Sequence, residues 1–95
     1  MPVPKLTDSE VTRELESLPG WERQGSALVR QFDRKTFLGS IAFINTIAEL
    51  AERADHHPDL DIRYSKVKVS LSTHDSGGIT RKDVSMARQI TAAAD

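Results

Sequence analysis

The side chains able to do acid–base chemistry in this chain are concentrated around three histidines, His56, His57 and His74. An unperturbed imidazole titrates near about pH 6.5, so it can deliver or remove a proton close to neutrality. Three acids sit at suggestive spacings: Glu52, Asp55 and Asp83. Glu52 and His56 stand at i and i+4, which on a helix places both side chains on one face. A carboxylate there can accept the ring N–H and fix the tautomer, giving a directed acid or base. The same pair on a solvent-facing helix contributes only about 0.2–0.5 kcal/mol, and spacing alone fits both readings. His57 precedes Pro58, which pushes it toward extended backbone, so His56 and His57 can face one cleft. Asp55 prolongs the helical stripe of Ala48 and Ala51, where a carboxylate needs a partner such as a ligand or a loop N–H. Counting by twos from Val67, Val69 and Leu71 puts His74 on the opposite strand face, although that rule lapses at the following glycine-containing loop. Asp83 suits both a helix cap and support of a site. A three-imidazole zinc centre is the competing chemistry. It is the weaker one, because the helical i, i+4 histidine pair of zinc proteases is absent.

Five elements must position these groups. Thr7 and Glu10 have capping-box spacing, with Leu6 and Val11 placed as a hydrophobic staple. Val11, Leu15 and Leu18 mark one face of that first helix, which Pro19-Gly20 ends. Trp21–Gln24 and Ala27–Phe32 flank a Gly25-Ser26 turn and predict a hairpin. From Phe37 to Ala54 a long helix carries two apolar stripes. Phe37, Ile41, Ile44, Ala48 and Ala51 form one; Phe43, Ile47, Leu50 and Ala54 form the other, about 110° away. Together they are wider than a single core-facing stripe. Depth is scarce in 95 residues, so the expectation is one stripe on a sheet and the other on a partner subunit; a helix sunk in a monomer is the alternative. Leu60–Tyr64 and the alternating Val67–Leu71 run predict a second hairpin turning at Ser65-Lys66. Thr80 and Asp83 then have capping-box spacing before a face of Val84, Ala87, Ile90 and Ala94. The order α-β-β-α-β-β-α predicts an α+β fold, a four-stranded antiparallel sheet with the helices packed on one face.

Composition narrows the function classes. The chain has 95 residues, read as one domain over residues 1–95, with 13 basic and 14 acidic side chains and a net charge of -1. That balance gives no electrostatic case for nucleic acid or an anionic membrane. With no cysteine, disulfides, thiolate catalysis and zinc–cysteine sites are excluded. No apolar run approaches the roughly 20 residues of a membrane span. Met1-Pro2-Val3-Pro4-Lys5 shows no signal-peptide core, so a cytoplasmic location is expected.

Glu52-x-x-x-His56-His57-Pro58, then Tyr64, His74 and Asp83, resembles the signature of pterin-4a-carbinolamine dehydratases. The intervening gaps are five, nine and eight residues, and the resemblance runs from about Leu6 to Ala93. It implies a dehydratase that converts 4a-hydroxytetrahydropterin to quinonoid dihydropterin and water, recycling a tetrahydrobiopterin-type cofactor for aromatic amino acid hydroxylases. No metal or organic cofactor is implied, since the pterin is the substrate. The resemblance implies His56 and His74 as an acid–base pair on either side of the pterin, with His57 holding it, although His56 and His57 can exchange roles. Glu52 would orient His56. Asp55, Pro58 and the Ser72-Thr73 backbone would belong to the substrate-binding set, and Asp83 would support His74 or its loop. It also implies subunits pairing sheets edge to edge and long helices bundling, as a homodimer or homotetramer. Two other readings stand beside it. One is a non-catalytic dimerisation partner of another protein, using the long-helix surface of Phe43, Ile47 and Leu50; the other is the same site serving a different pterin pathway.

Overall fold

The computed structural model describes residues 3–95, so Met1 and Pro2 of the N-terminal stretch lie outside the described residues. Helix α1 (Asp8–Leu15) starts at Thr7 with the expected capping box. The Thr7 backbone N–H donates to Glu10 at 2.8 Å and holds that carboxyl below the usual glutamate range. Strands β1 (Glu22–Gln24) and β2 (Ala27–Asp33) form the first hairpin around Gly25-Ser26. Helix α2 (Phe37–Ala54) is capped by Thr36, whose hydroxyl accepts from the Gly39 N–H. The second hairpin joins β3 (Asp59–Arg63) to β4 (Lys66–Leu71). A short 3₁₀ turn (His74–Ser76) leads to helix α3 (Arg81–Ala94), which Thr80 and Asp83 cap as the spacing predicts.

All strand pairs are antiparallel, in the order β1-β2-β4-β3. The central pair turns Leu28 and Phe32 of β2 and Val67, Val69 and Leu71 of β4 toward the helices. Against them pack Phe43 and Ile47 of α2 and Met86, Ala87 and Ile90 of α3. Each large apolar side chain so buried contributes about 1.5–3 kcal/mol relative to exposure. Trp21 meets Phe32 edge-on, and its indole N–H donates to Thr91 at 2.8 Å. The other sheet face carries Gln31, Asp33, Asp59, Asp61, Arg63, Lys66 and Lys68, all exposed.

Two expectations need correction. The second turn is Tyr64-Ser65, because Arg63 pairs with Lys66. Contacts from outside the hairpin hold it there: the Arg34 N–H donates to the Ser65 carbonyl, and the Ser40 hydroxyl to that of Tyr64. The interaction surface assigned to Phe43, Ile47 and Leu50 is also wrong. Phe43 and Ile47 are buried in the core and Leu50 is half-buried against it. Neither stripe packs as a unit: from the first, Ala51 is buried and Ile44 half-buried against the core beside Phe43 and Ile47 of the second. The face that packs is the one where small Ser40 and Ala51 flank Phe43 and Ile47. The outward surface instead exposes Phe37 and Ile41 of the first stripe, together with Leu38 (78% exposed), which belongs to neither.

Candidate active site

The end of α2 determines where the adjacent histidines go. Asp55 is left-handed, at φ 50° and ψ 44°. The His56 N–H reaches back to the Ala51 carbonyl (3.1 Å) and the Asp55 N–H to that of Glu52 (3.3 Å). These two bonds form a Schellman motif, whose left-handed position is usually glycine. Asp is among the few other residues that tolerate it. Helical geometry therefore stops before His56, and the predicted Glu52–His56 pair does not form. Glu52 instead meets Nε2 of His57 at 2.5 Å, on a largely exposed part of the surface.

His56 turns inward. Its side chain is 10% exposed, and its Nε2 lies 2.6 Å from Oδ1 of Asp83, which is completely buried. Oδ2 of Asp83 accepts from the Thr80 backbone N–H and the Thr73 hydroxyl, each at 2.9 Å. Thr80 and Thr73 hydroxyls also bond each other at 2.8 Å. A carboxylate can only accept, so with donors already on Oδ2 the shared proton belongs to His56 Nε2, leaving Nδ1 as the free ring nitrogen. Asp83 thus combines its capping role with orientation of His56, the task the family resemblance implied for Glu52. It supports the His74 loop as well, through the neighbouring Thr73.

That loop is short and tied at both ends. Thr73 and Gly78 form an antiparallel bridge, and Gly77 closes the 3₁₀ turn at φ +74°. The segment before α1 straps over it: the Leu6 N–H donates to the Ile79 carbonyl at 2.9 Å, and the Ser76 hydroxyl donates to Val3. His74 starts the turn with its side chain exposed.

These elements bring the three histidines to the wall of one hollow of about 270 Å³. Asp55, Ser72 and Thr73 line it too, as the sequence reading expects. Glu52, Pro58 and Asp83 do not: Glu52 braces His57, and Asp83 lies behind His56. Tyr64, part of the signature, sits at the far turn of β3, 69% exposed. Two lining residues escaped the sequence reading, Asp75 and Lys82. Lys82 could have been found from its place beside Asp83 in the first turn of α3; Asp75 carried no signal beyond its loop. Among the described residues no three acids or histidines converge closely enough to hold a metal ion. The hollow lies just below the roughly 300 Å³ at which small-molecule pockets commonly begin. Its size and its mixture of imidazoles and carboxylates suit a flat, polar, bicyclic ring.

The family model for pterin 4 alpha carbinolamine dehydratase matches residues 4–93. The chain belongs to this family. A pterin-4-alpha-carbinolamine dehydratase of Thermomicrobium roseum, so named provisionally, is 49% identical over 90 residues, covering 95% of this chain and 97% of the relative. Another of the same provisional name, from Roseiflexus castenholzii, is 51% identical over 85 residues, or 90% and 91% of the two chains. A crystal structure described as a transcriptional coactivator/pterin dehydratase from Brucella melitensis superposes with a TM-score of 0.92 at 38% identity, covering 96% and 99%. A pterin dehydratase-like protein described as a RuBisCO assembly factor in the alpha-carboxysome shares the fold, with a TM-score of 0.68 at 23% identity over 79% and 89%. The dehydratase family and its α+β architecture are therefore both present in this chain.

Proposed function

We propose that the whole chain, residues 1–95, is a dehydratase of 4a-hydroxytetrahydropterins, working by histidine acid–base catalysis. The observation that carries this reading is the convergence of His56, His57 and His74 on one hollow, with His56 locked by buried Asp83. In the reaction the C4a–O bond breaks as its oxygen receives a proton and leaves as water. N5 gives up its proton, and the N–H electron pair becomes the second bond between C4a and N5. One group must donate and another accept, and His56 and His74 are the pair we assign. His57, braced by Glu52, holds the ring. Asp55 and Asp75 accept from the amino and N3–H donors of the pyrimidine end. A positioned acid or base is worth about 10²–10⁴-fold, which sets the expected size of each loss. Stopped-flow decay of synthetic 4a-hydroxytetrahydropterin tests this. His56→Ala and His74→Ala should each slow turnover by about 10²-fold or more, with circular dichroism unchanged. Normal turnover in both variants would overturn the assignment.

The same reading makes the chain a cytoplasmic recycler of reduced pterin for an aromatic amino acid hydroxylase. It also makes it a homo-oligomer, dimer or tetramer. The exposed surface of Phe37, Leu38 and Ile41, and the edge strand β3 with Leu60 and Ile62 each 37% exposed, support assembly. A second reading, docking of another protein on α2, draws on that same surface rather than on the core residues Phe43 and Ile47.

A further inference from the structure

A larger hollow, of about 420 Å³, adjoins the histidine hollow between the end of α2 and the first turns of α3. The two share His56 and Lys82. Their linings differ in charge. Asp55 and Asp75 face the smaller one, whereas no carboxylate lines the larger. There Arg81, Lys82, Ser85 and Gln89 stand over a floor that includes Met86. Neither Arg81 nor Lys82 forms an ion pair among the described residues. Glu10 and Glu14 line a different hollow, which Arg13 and Arg81 also border.

This charge pattern gives a bound pterin a direction, provided that the histidine hollow is the pterin site. The amino and N3–H donors of a pterin lie side by side at its pyrimidine end, the end suited to Asp55 and Asp75. C6 lies at the other end, bonded to N5, which neighbours the reacting C4a. If His56 works on the C4a–N5 edge, the substituent on C6 leaves the ring beside His56, where the larger hollow opens. We propose that the larger hollow seats the C6 substituent and favours a hydroxylated chain ending in an anion, a phosphate or a carboxylate. Ser85 and Gln89 offer hydrogen bonds to the hydroxyls. Arg81 and Lys82 offer charge-assisted bonds to the anion, at the N-terminal end of α3 where the helix dipole adds to them.

Oxidised pterins fluoresce, so binding can be measured by quenching with the intact protein. The probes are 6-hydroxymethylpterin and its phosphate ester, read directly, and folic acid, whose C6 chain ends in carboxylates and whose weak emission requires that it be read by displacement of 6-hydroxymethylpterin. At low salt an anionic probe should bind about tenfold more tightly than the alcohol, the scale of two exposed charge contacts. Arg81→Gln should remove much of that advantage, as should added salt. A gain for the phosphate ester alone, or for folic acid alone, supports the proposal and names the anion. Equal affinity for all three, or an advantage that Arg81→Gln leaves intact, overturns it while leaving the pterin site standing. Failure of every probe to bind would sink the pterin reading and this inference together.

Discussion

Asp83 is the residue on which the site's protonation geometry turns. It is fully buried, and its two oxygens are divided between His56 and the Thr73–Thr80 pair. Asp83→Asn keeps the shape but can donate toward His56 from its amide nitrogen. With its oxygen kept on Thr73 and Thr80, that amide forces the opposite imidazole tautomer and moves the ring proton to Nδ1. Turnover of the 4a-hydroxy substrate should fall by about 10²-fold or more, with the far-ultraviolet spectrum retained. Unchanged turnover would show that the tautomer of His56 is irrelevant. At this scale much of the site was legible: all three histidines, Asp55, Ser72 and Thr73 line the hollow as the sequence suggests. The partner of His56 was not, because the i, i+4 rule presumes a helix that continues through His56. A single left-handed residue ended it one position earlier, and no spacing in the chain reveals such a turn.

At the scale of elements, capping chemistry was the most readable signal. Thr7 with Glu10, and Thr80 with Asp83, start α1 and α3 where their hydroxyls and carboxylates indicate. The hairpin at Tyr64-Ser65 was misplaced by one residue, since long-range bonds from Arg34 and Ser40 hold it. Asp55 sits where one element ends and the site begins, and it presents stability and function with opposite demands. A non-glycine residue in left-handed backbone costs about 1–2 kcal/mol, which glycine avoids at some cost in chain entropy. Asp55→Gly should therefore raise unfolding free energy in urea by about 0.5–1 kcal/mol and weaken pterin binding through loss of the carboxylate. A variant that is less stable, or that binds pterin as well as the parent, would refute that division.

Across the whole molecule, α2 faces two ways. The inward line of Phe43 and Ile47 belongs to the core, where truncating an isoleucine to alanine typically costs about 2–5 kcal/mol. The outward line of Phe37, Leu38 and Ile41 is open. Two apolar stripes were visible in the sequence, but the buried face took Phe43 and Ile47 from one and Ala51 from the other. Leu38→Glu should leave the unfolding midpoint nearly unchanged, as surface substitutions commonly shift stability by less than about 0.5 kcal/mol. It should also lower the native mass in light scattering. A wild-type mass equal to one chain, or an unchanged mass in the variant, would remove the assembly reading. The strap of Val3 and Leu6 across the His74 turn adds a practical consequence. It joins positions 73 residues apart in the chain, so a fusion tag or nick just ahead of α1 would be felt at an imidazole of the hollow while the central packing stayed intact. Preparations differing only in their leader sequence would then disagree in activity yet melt alike.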